Sequence, residues 1–394
     1  MKILAVHNRY LLGGGEDLSH STEVAMLRSH GHEVDEMIED NRRIDKMGNL
    51  RAALRTVWSI EAYRQVTKRL RESQYDVILV QNFFPLISPS IYYAAWRTGT
   101  PVIQYIRNYR LVCLNAYLLR NDKVCEDCVG KAIPWPGVLH GCYRGSRSAS
   151  LAVAAMLVIH RFLDTWNKKV YRFVALTEFS KTKLITGGIR ANKIVIRPNF
   201  IHPDPGKENE KGEYALFVGR LSSEKGITPL LEGWDRMPED KKLILIGNGP
   251  LLEDLIQKAR NQPNLEVMGA LPPEDTINMI RRAKFLIFPS ILYEGMPRTI
   301  IEAFATGTPV IASDLGAMAD MVEHGSNGFL FPAGDGTRLA EKALALYSNP
   351  DLYTRMQLKA RQTYVTCYSS SLAYQKLMQI IEDMLSEQKG DGRI

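Results

Sequence analysis

No apolar stretch in this 394-residue sequence approaches the ~20 uninterrupted residues that a membrane-spanning helix requires. The longest, Leu151 to Ile159, runs directly into His160-Arg161. The opening run Met1-Lys2-Ile3-Leu4-Ala5-Val6 lacks a cleavage site, so it reads as a first β-strand rather than a signal peptide. A cytoplasmic protein is the expectation. No internal period of 20–50 residues is present, which excludes repeat architectures. An aromatic-rich basic groove and a helix-turn-helix pattern are missing too, so nucleic-acid binding would rest on net charge alone and is not expected. Cysteine is scarce: five residues, four of them between Cys113 and Cys142.

What remains is ordinary globular composition, 45% apolar and 24% charged. The chain is too long for one core, and roughly 100–200 residues per domain suggests two. The net charge of +7 is unevenly placed. Residues 1–200 carry 29 Lys and Arg against 17 acids, and residues 201–394 carry 21 against 26. A basic half fits an anionic partner such as a membrane surface or a phosphorylated substrate; a well-solvated surface gives the same count.

Short apolar strands alternate with helical periods along the whole chain. Met1–Val6, Tyr75–Val80, Pro101–Ile106, Phe173–Leu176 and Ile194–Arg197 are the strands of the first half. Tyr214–Val218, Lys242–Ile246, Leu265–Met268, Phe285–Phe288 and Pro309–Ala312 follow in the second. This alternation predicts an α/β protein with parallel sheets covered by helices on both faces. The stretch Pro198 to Glu213, rich in Pro and Gly, reads as an interdomain linker. Expected domains are therefore 1–198 and 199–368, two doubly wound halves facing a cleft. A helix over 369–394 is expected to cross back to the first.

The most informative segment runs from Ser290 through Glu294-Gly295-Met296-Pro297 to Glu302-Ala303. Pro297 suits the first position of a helix. The amides of Arg298, Thr299 and Ile300 then lack intrahelical partners and, with the helix dipole, favour an anion such as a diphosphate. Glu294 and Glu302 flank that point, and carboxylates accept from vicinal hydroxyls, so a diphosphate with sugar-like groups at both ends fits. Taken alone the two residues could equally be a helix-start charge and a surface charge. A second segment, Gly219-Arg220-Leu-Ser-Ser-Glu-Lys225-Gly226, follows the strand Tyr214–Val218. It puts a guanidinium fork and an ammonium at the carboxyl end of a sheet, where α/β proteins bind ligands. Gly247-Asn-Gly249 is a weaker signal of the same kind.

Together G-R-L-x-x-E-K-G and, about seventy residues on, S-x-x-x-E-G-x-P-x-x-x-x-E-A resemble the retaining glycosyltransferases of family 4, with the GT-B fold of two Rossmann-like domains. The likeness includes Gly13-Gly14-Gly15 after the first strand and Gly307-Thr-Pro-Val-Ile-Ala-Ser. It implies a donor-binding second domain and an acceptor-binding first domain. It also implies that Arg220 and Lys225 hold the donor diphosphate, that Glu294 contacts the donor sugar and that Glu302 holds the ribose. Gly219, Gly295 and residues 298–300 would complete the donor site, with Gly14 and Gly15 near the sugar. The implied reaction is same-face transfer of a hexosyl group from a nucleotide sugar, UDP first and GDP second, to a glycan, lipid-linked or small-molecule acceptor, with no metal required. A nucleotide-sugar epimerase of the same fold, and a binding protein that has lost turnover, are the alternatives. One departure is Arg107, which stands where family members often carry a histidine near the donor sugar. His7, at the end of the first strand, is a further candidate for substrate contact.

Cys113, Cys125, Cys128 and Cys142 lie in one insertion, and the Cys125-Glu-Asp-Cys128 spacing suits a structural zinc; reduced thiols are the alternative. His140 could substitute for one of them, and Cys367 reads as packing. Asn41 to Ser73 holds nine Lys and Arg against three acids, with Leu50, Leu54, Trp58 and Tyr63 interleaved. Arg144 to Arg172 adds an apolar run flanked by cations. Either can lie on an anionic membrane, or pack on the first domain with a solvated basic side.

Overall fold

The computed structural model describes residues 1–11, 14–208 and 210–390, and the chain divides into two compact units. The first holds Met1–Leu118, Cys125–Pro198 and the chain from Ala373 onward; the second holds Leu119–Val124 and Asn199–Leu372.

In the first unit the strands are β1 (Lys2–Arg9), β2 (Glu33–Asp40), β3 (Val77–Asn82) and β4 (Val102–Ile106). A two-stranded hairpin of β5 (Leu119–Arg120) and β6 (Lys123–Val124) comes next, grouped with the second unit. After it β7 (Arg172–Ala175) and β8 (Ile194–Ile196) complete the first sheet. The order is β2-β1-β3-β4-β7-β8, parallel throughout. Buried on both faces, the central strands carry unbroken apolar runs such as Ile3-Leu4-Ala5-Val6 and Val77-Ile78-Leu79-Val80. Each fully buried Val, Leu or Ile side chain contributes about 1.5–3 kcal/mol.

The second unit repeats the plan with β9 (Tyr214–Val218), β10 (Lys242–Ile246), β11 (Leu265–Gly269), β12 (Phe285–Phe288), β13 (Val310–Ser313) and β14 (Gly328–Phe331). Their order is β11-β10-β9-β12-β13-β14, again all parallel. Phe217, Leu245, Ile287 and Trp234 lie in its core.

Helices α1 (Gly15–Ser29), α2 (Asn49–Val57), α3 (Ile60–Glu72), α4 (Trp135–Leu139) and α5 (Arg147–Phe162) belong to the first unit. In the second, α6 (Arg298–Ala305) follows β12. The chain ends in α7 (Ser370–Gly390), which rejoins the first unit from Ala373. Its anchor is Arg197, fully buried, whose Nε donates to the Ala373 carbonyl at 2.8 Å. The same guanidinium forks onto both carboxylate oxygens of Glu23 on α1 at 2.9 Å. Tyr374 stacks on His30 and bonds His32 at 2.9 Å, so His32 serves the fold. Among the described residues no helix is long and apolar enough to cross a membrane.

The chain leaves the first unit after Pro198, and residues 199–208 and 210–213 are grouped with the second rather than forming a separate linker. Phe200 and Ile201 are buried. Lys211 donates to the carbonyls of Arg281 (2.6 Å) and Thr306 (3.2 Å) and to the Thr308 hydroxyl (2.8 Å). Asp204 is held by Arg361 at 2.6 Å.

Candidate functional site

In the second sheet the strands run 9, 10, 11 outward on one side and 12, 13, 14 on the other, so the order reverses between β9 and β12. Ligands of open α/β sheets sit outside the carboxyl ends of the strands at such a reversal. Gly219 and Arg220 follow β9 there, and the segment from Ser290 to Pro297 follows β12.

Backbone approach brings the two segments together. Gly226 has φ +74°, and a Cβ there would stand 1.9 Å from the Pro289 carbonyl oxygen. No other residue fits so close. Next to it the Ile291 N–H donates to the Glu224 carbonyl at 3.1 Å. The result places Lys225 Nζ 2.7 Å from Glu294 Oε1, an oxygen that also accepts from the Ser290 hydroxyl at 2.8 Å. Gly247 is likewise obligatory: its Cβ would stand 1.8 Å from the Gly219 carbonyl oxygen. The Gly247-Asn-Gly249 turn therefore seats the Gly219–Leu221 loop.

Pro297 is the N-cap of α6, one place earlier than its residue type suggests, and Arg298 is the first helical residue. The amides of Arg298, Thr299 and Ile300 occupy the first three helical positions and have no intrahelical acceptor. No side chain caps that end. Arg298 reaches back to the Phe200 carbonyl at 3.2 Å and lies 3.8 Å from Glu302. Burial holds the Arg298 guanidinium below its usual range. Burial also raises the Glu302 carboxyl, with Arg298 opposing. Glu302 is 13% exposed, and Arg298 is its side chain's one charged neighbour among the described residues. Arg220 is exposed, and its side chain makes no ion pair or hydrogen bond among them. Gly295, between the paired Glu294 and the cap, is half-buried.

The corresponding edge of the first sheet is closed. Its order reverses between β1 and β3, where His7 and Gln81 stand, but His7 is completely buried. It is therefore not open to a substrate, as its place at the strand end had suggested. His7 Nε2 lies 2.6 Å from Asp17 Oδ1, and its ring stacks on that of His20 with centroids 4.7 Å apart. His20 Nε2 in turn meets Glu36 at 3.0 Å. Burial first, and then the charge of His7, pull His20 down to about 4. Each carboxylate accepts, so each Nε2 carries the hydrogen, and both Nδ1 atoms are buried without a partner. Arg107 is buried too, with Nε donating to Gln81 at 2.8 Å, and burial lowers it to about 10. It stays a cation at neutral pH, engaged within the unit. Glu16 accepts from Asn108 at 3.0 Å and is raised by burial. Gly14 is the N-cap of α1, its N–H on Asp17 at 3.1 Å, and Gly15 is that helix's first residue. Gly13 lies outside the described residues.

The four clustered cysteines share one neighbourhood. Burial raises Cys128 to about 11, and nearby Cys113, Cys142 and Cys125 add to the effect. Yet among the described residues no three Cys, His, Asp or Glu side chains are placed to hold a metal ion. Cys113 donates to Asn115 at 2.9 Å and Cys128 points at the Pro134 carbonyl at 3.8 Å. None of the five cysteines is in a disulfide among the described residues, and Cys367 is exposed rather than packed. The thiols as placed do not form the tetrahedral set that zinc requires.

Several residues in these clusters carry no mark of their own in the sequence. Ser290 orients Glu294 and lies inside the quoted segment, where its spacing of four before the glutamate is the available signal. Asn199 donates to the Met296 carbonyl at 3.2 Å and steadies the turn before α6 from 97 positions away. Glu16, His20 and Asn108 are likewise joined only by the fold.

Residues 200–363 match the family described as Glycosyl transferases group 1. An uncharacterized glycosyltransferase of Haemophilus influenzae is 31% identical over 205 residues, 48% of this chain and 55% of that protein. The phosphatidyl-myo-inositol mannosyltransferase of Mycobacterium leprae is 25% identical over 261 residues, 62% of this chain and 67% of its own. The chain thus spans only about half the length of the first curated relative it matches. In three dimensions it resembles Anabaena Alr3699/HepE, solved with UDP and glucose, with a TM-score of 0.69 at 16% identity over 97% of this chain and 99% of that one. Sucrose-phosphate synthase from Thermosynechococcus elongatus gives 0.70 at 15% identity, covering 98% and 99%. The fold is accordingly GT-B, with two parallel-sheet Rossmann-like domains.

Proposed function

We propose that this protein is a retaining glycosyltransferase that moves a hexosyl group from a nucleotide sugar to a glycan, lipid-linked or small-molecule acceptor. UDP-sugar is the preferred donor and GDP-sugar the second. The observation that carries the reading is Glu302: a nearly buried carboxylate, without a hydrogen bond among the described residues, one turn inside a helix whose first amides have no side-chain cap. A diphosphate at those amides would leave the ribose hydroxyls beside Glu302. The UDP held by Anabaena Alr3699/HepE supports the choice of base.

In this reading Arg220 and Lys225 stabilise the charge that grows on the leaving diphosphate. The bond from the anomeric carbon to the diphosphate oxygen breaks while the acceptor oxygen bonds that carbon on the same face. The acceptor's proton passes to the departing phosphate. Glu294, fixed by Lys225 and Ser290, is positioned to accept from sugar hydroxyls. No protein nucleophile is invoked. The first unit is assigned the acceptor.

Thermal unfolding with UDP, GDP and ADP tests the reading. A nucleotide at 100 times its dissociation constant stabilises the fold by about 2.7 kcal/mol. The expected result is a shift with UDP above GDP and ADP that disappears in Glu302→Ala. Equal shifts in wild type and variant would remove the ribose from Glu302.

A further inference from the structure

We propose that the first unit docks on an anionic lipid bilayer through one outer face built by α2, α4 and α5. This stands independently of the glycosyl-transfer reading, because it uses no residue of the donor site.

The face begins with α5. Its inward residues Val153, Met156, Leu157 and His160 are buried, and opposite them Leu151, Ile159 and Phe162 form an outward stripe at helical spacing. Phe162 is 89% exposed, Leu151 58% and Ile159 42%. Helix α2 packs alongside, with His160 Nε2 3.0 Å from the Val57 carbonyl. It turns Leu50 (75% exposed) and Leu54 (64%) outward. Helix α4 packs on α5 from the other end, where Arg147 Nε donates to the Leu139 carbonyl at 3.0 Å, and it exposes Trp135. Single exposed apolar residues are ordinary on soluble proteins, but aromatic and aliphatic side chains gathered on three touching helices are a patch that calls for a partner.

The orientation of α2 is locked. Arg55 on its inner side is buried, bonding the Leu86 carbonyl at 2.8 Å, Glu39 at 3.2 Å and Glu61 at 2.6 Å. Arg43 bonds the same two carboxylates. Two of the nine cations that make Asn41–Ser73 look basic are thus paired with carboxylates, Arg55 buried and Arg43 at the surface. Trp58, the residue of that stretch best suited to an interface, instead packs against Tyr63 and Tyr93. The usable charge lies elsewhere. Arg51 on α2, Lys131 before α4, and Arg144 and Arg147 before and at the start of α5 are exposed, and none is ion-paired with a carboxylate among the described residues. From residue 128 to 172 there are seven Lys and Arg and one acid, Asp164.

An apolar patch among unpaired cations selects its occupant. A second copy meeting this face symmetrically would bring like charges together, which is unfavourable. A bilayer with anionic headgroups takes up the aromatic and aliphatic side chains and offers the cations phosphates at the same depth.

The test is flotation of the purified full chain with vesicles of phosphatidylcholine alone and with phosphatidylglycerol added. Binding to the anionic vesicles, weakened by salt, and little binding to phosphatidylcholine are expected. Leu54→Glu and Phe162→Glu, both at exposed positions, should each reduce anionic-vesicle binding at least tenfold while leaving the melting temperature and the nucleotide response unchanged. Arg144→Glu with Arg147→Glu should act in the same direction. Equal binding to both vesicle types, absence of binding, or variants that bind like wild type would overturn the proposal. So would light scattering that shows a dimer which Phe162→Glu turns into monomer, since the face would then be covered by a second copy.

Discussion

The two sheets of this protein have similar parallel topologies, yet their carboxyl edges are finished in opposite ways. At the first, each side chain near the strand reversal meets a neighbour: His7 meets Asp17 and His20, Arg107 meets Gln81 and Glu16 meets Asn108, which leaves His7 Nδ1, His20 Nδ1 and Glu16 Oε2 as the buried atoms without a partner among the described residues. At the second, three amides and the side chains of Glu302 and Arg220 have no hydrogen-bond partner among the described residues. Of these, the nearly buried Glu302 carboxylate is the one that folding alone would select against, because an unsatisfied buried group costs free energy. An edge left open on a sheet that can close its edges is best explained by a ligand that completes it. The two edges hold similar numbers of ionisable residues. Their number is thus a poor guide to where a ligand binds, and their lack of partners is a better one.

That contrast implies that substitutions at the closed edge cost stability, and substitutions at the open edge cost ligand binding or turnover. The largest expected effect is Glu23→Ala, which leaves Arg197 buried and without its counter-charge. Removing one member of a buried pair costs about 3–5 kcal/mol, to be read from denaturant unfolding. The nucleotide-induced shift should survive wherever the variant is folded, and its loss there would break the contrast. Arg220→Ala should do the reverse. With an exposed, unpartnered side chain it should leave the melting temperature near wild type, while kcat with a nucleotide sugar falls on the order of 10²–10³-fold. A variant that unfolds early but keeps its rate would place Arg220 in the fold and not in the site.

How much of this was legible in the sequence follows the same division. The open edge lies in two local segments, Gly219–Gly226 and Ser290–Ala303, whose residue types announce close backbone approach and an anion, so both could be named without coordinates. The ten apolar strands were also legible because burial on both faces leaves continuous hydrophobic runs. β2 was not: five of its eight residues are acidic, as an edge strand tolerates, and its carboxylates are paired by Lys2, Arg28, Arg43 and Arg55 from other elements. Glu23 and Arg197 are 174 positions apart, and no local pattern links them. The cysteine cluster shows a related limit: spacing shows that four thiols are close in the chain, and only the fold shows where each sulfur points. The basic stretch after β2 likewise overstated its surface charge, since Arg43 and Arg55 face Glu39 and Glu61.

The smallest of these effects tests the closed edge itself. His20 is pulled to about 4 in the folded protein by burial and by the neighbouring His7, against an ordinary value of 6.5. The neutral ring is the folded form, so the unfolded chain takes up this proton first. Its contribution is fully present above pH 6.5 and is lost as the pH falls from 6.5 toward 4. The shift corresponds to about 3 kcal/mol, and the coupling of the two stacked rings spreads it over both. Unfolding measured between pH 7 and pH 4 should show this decline in wild type and a shallower one in His20→Gln, while unfolding between pH 7 and pH 8 should be flat for this group. An acid dependence identical in the two proteins would mean that the stacked histidines carry no penalty for charge. The first sheet's edge would then be more open to water than its buried, unpartnered Nδ1 atoms imply, and its contrast with the second would weaken.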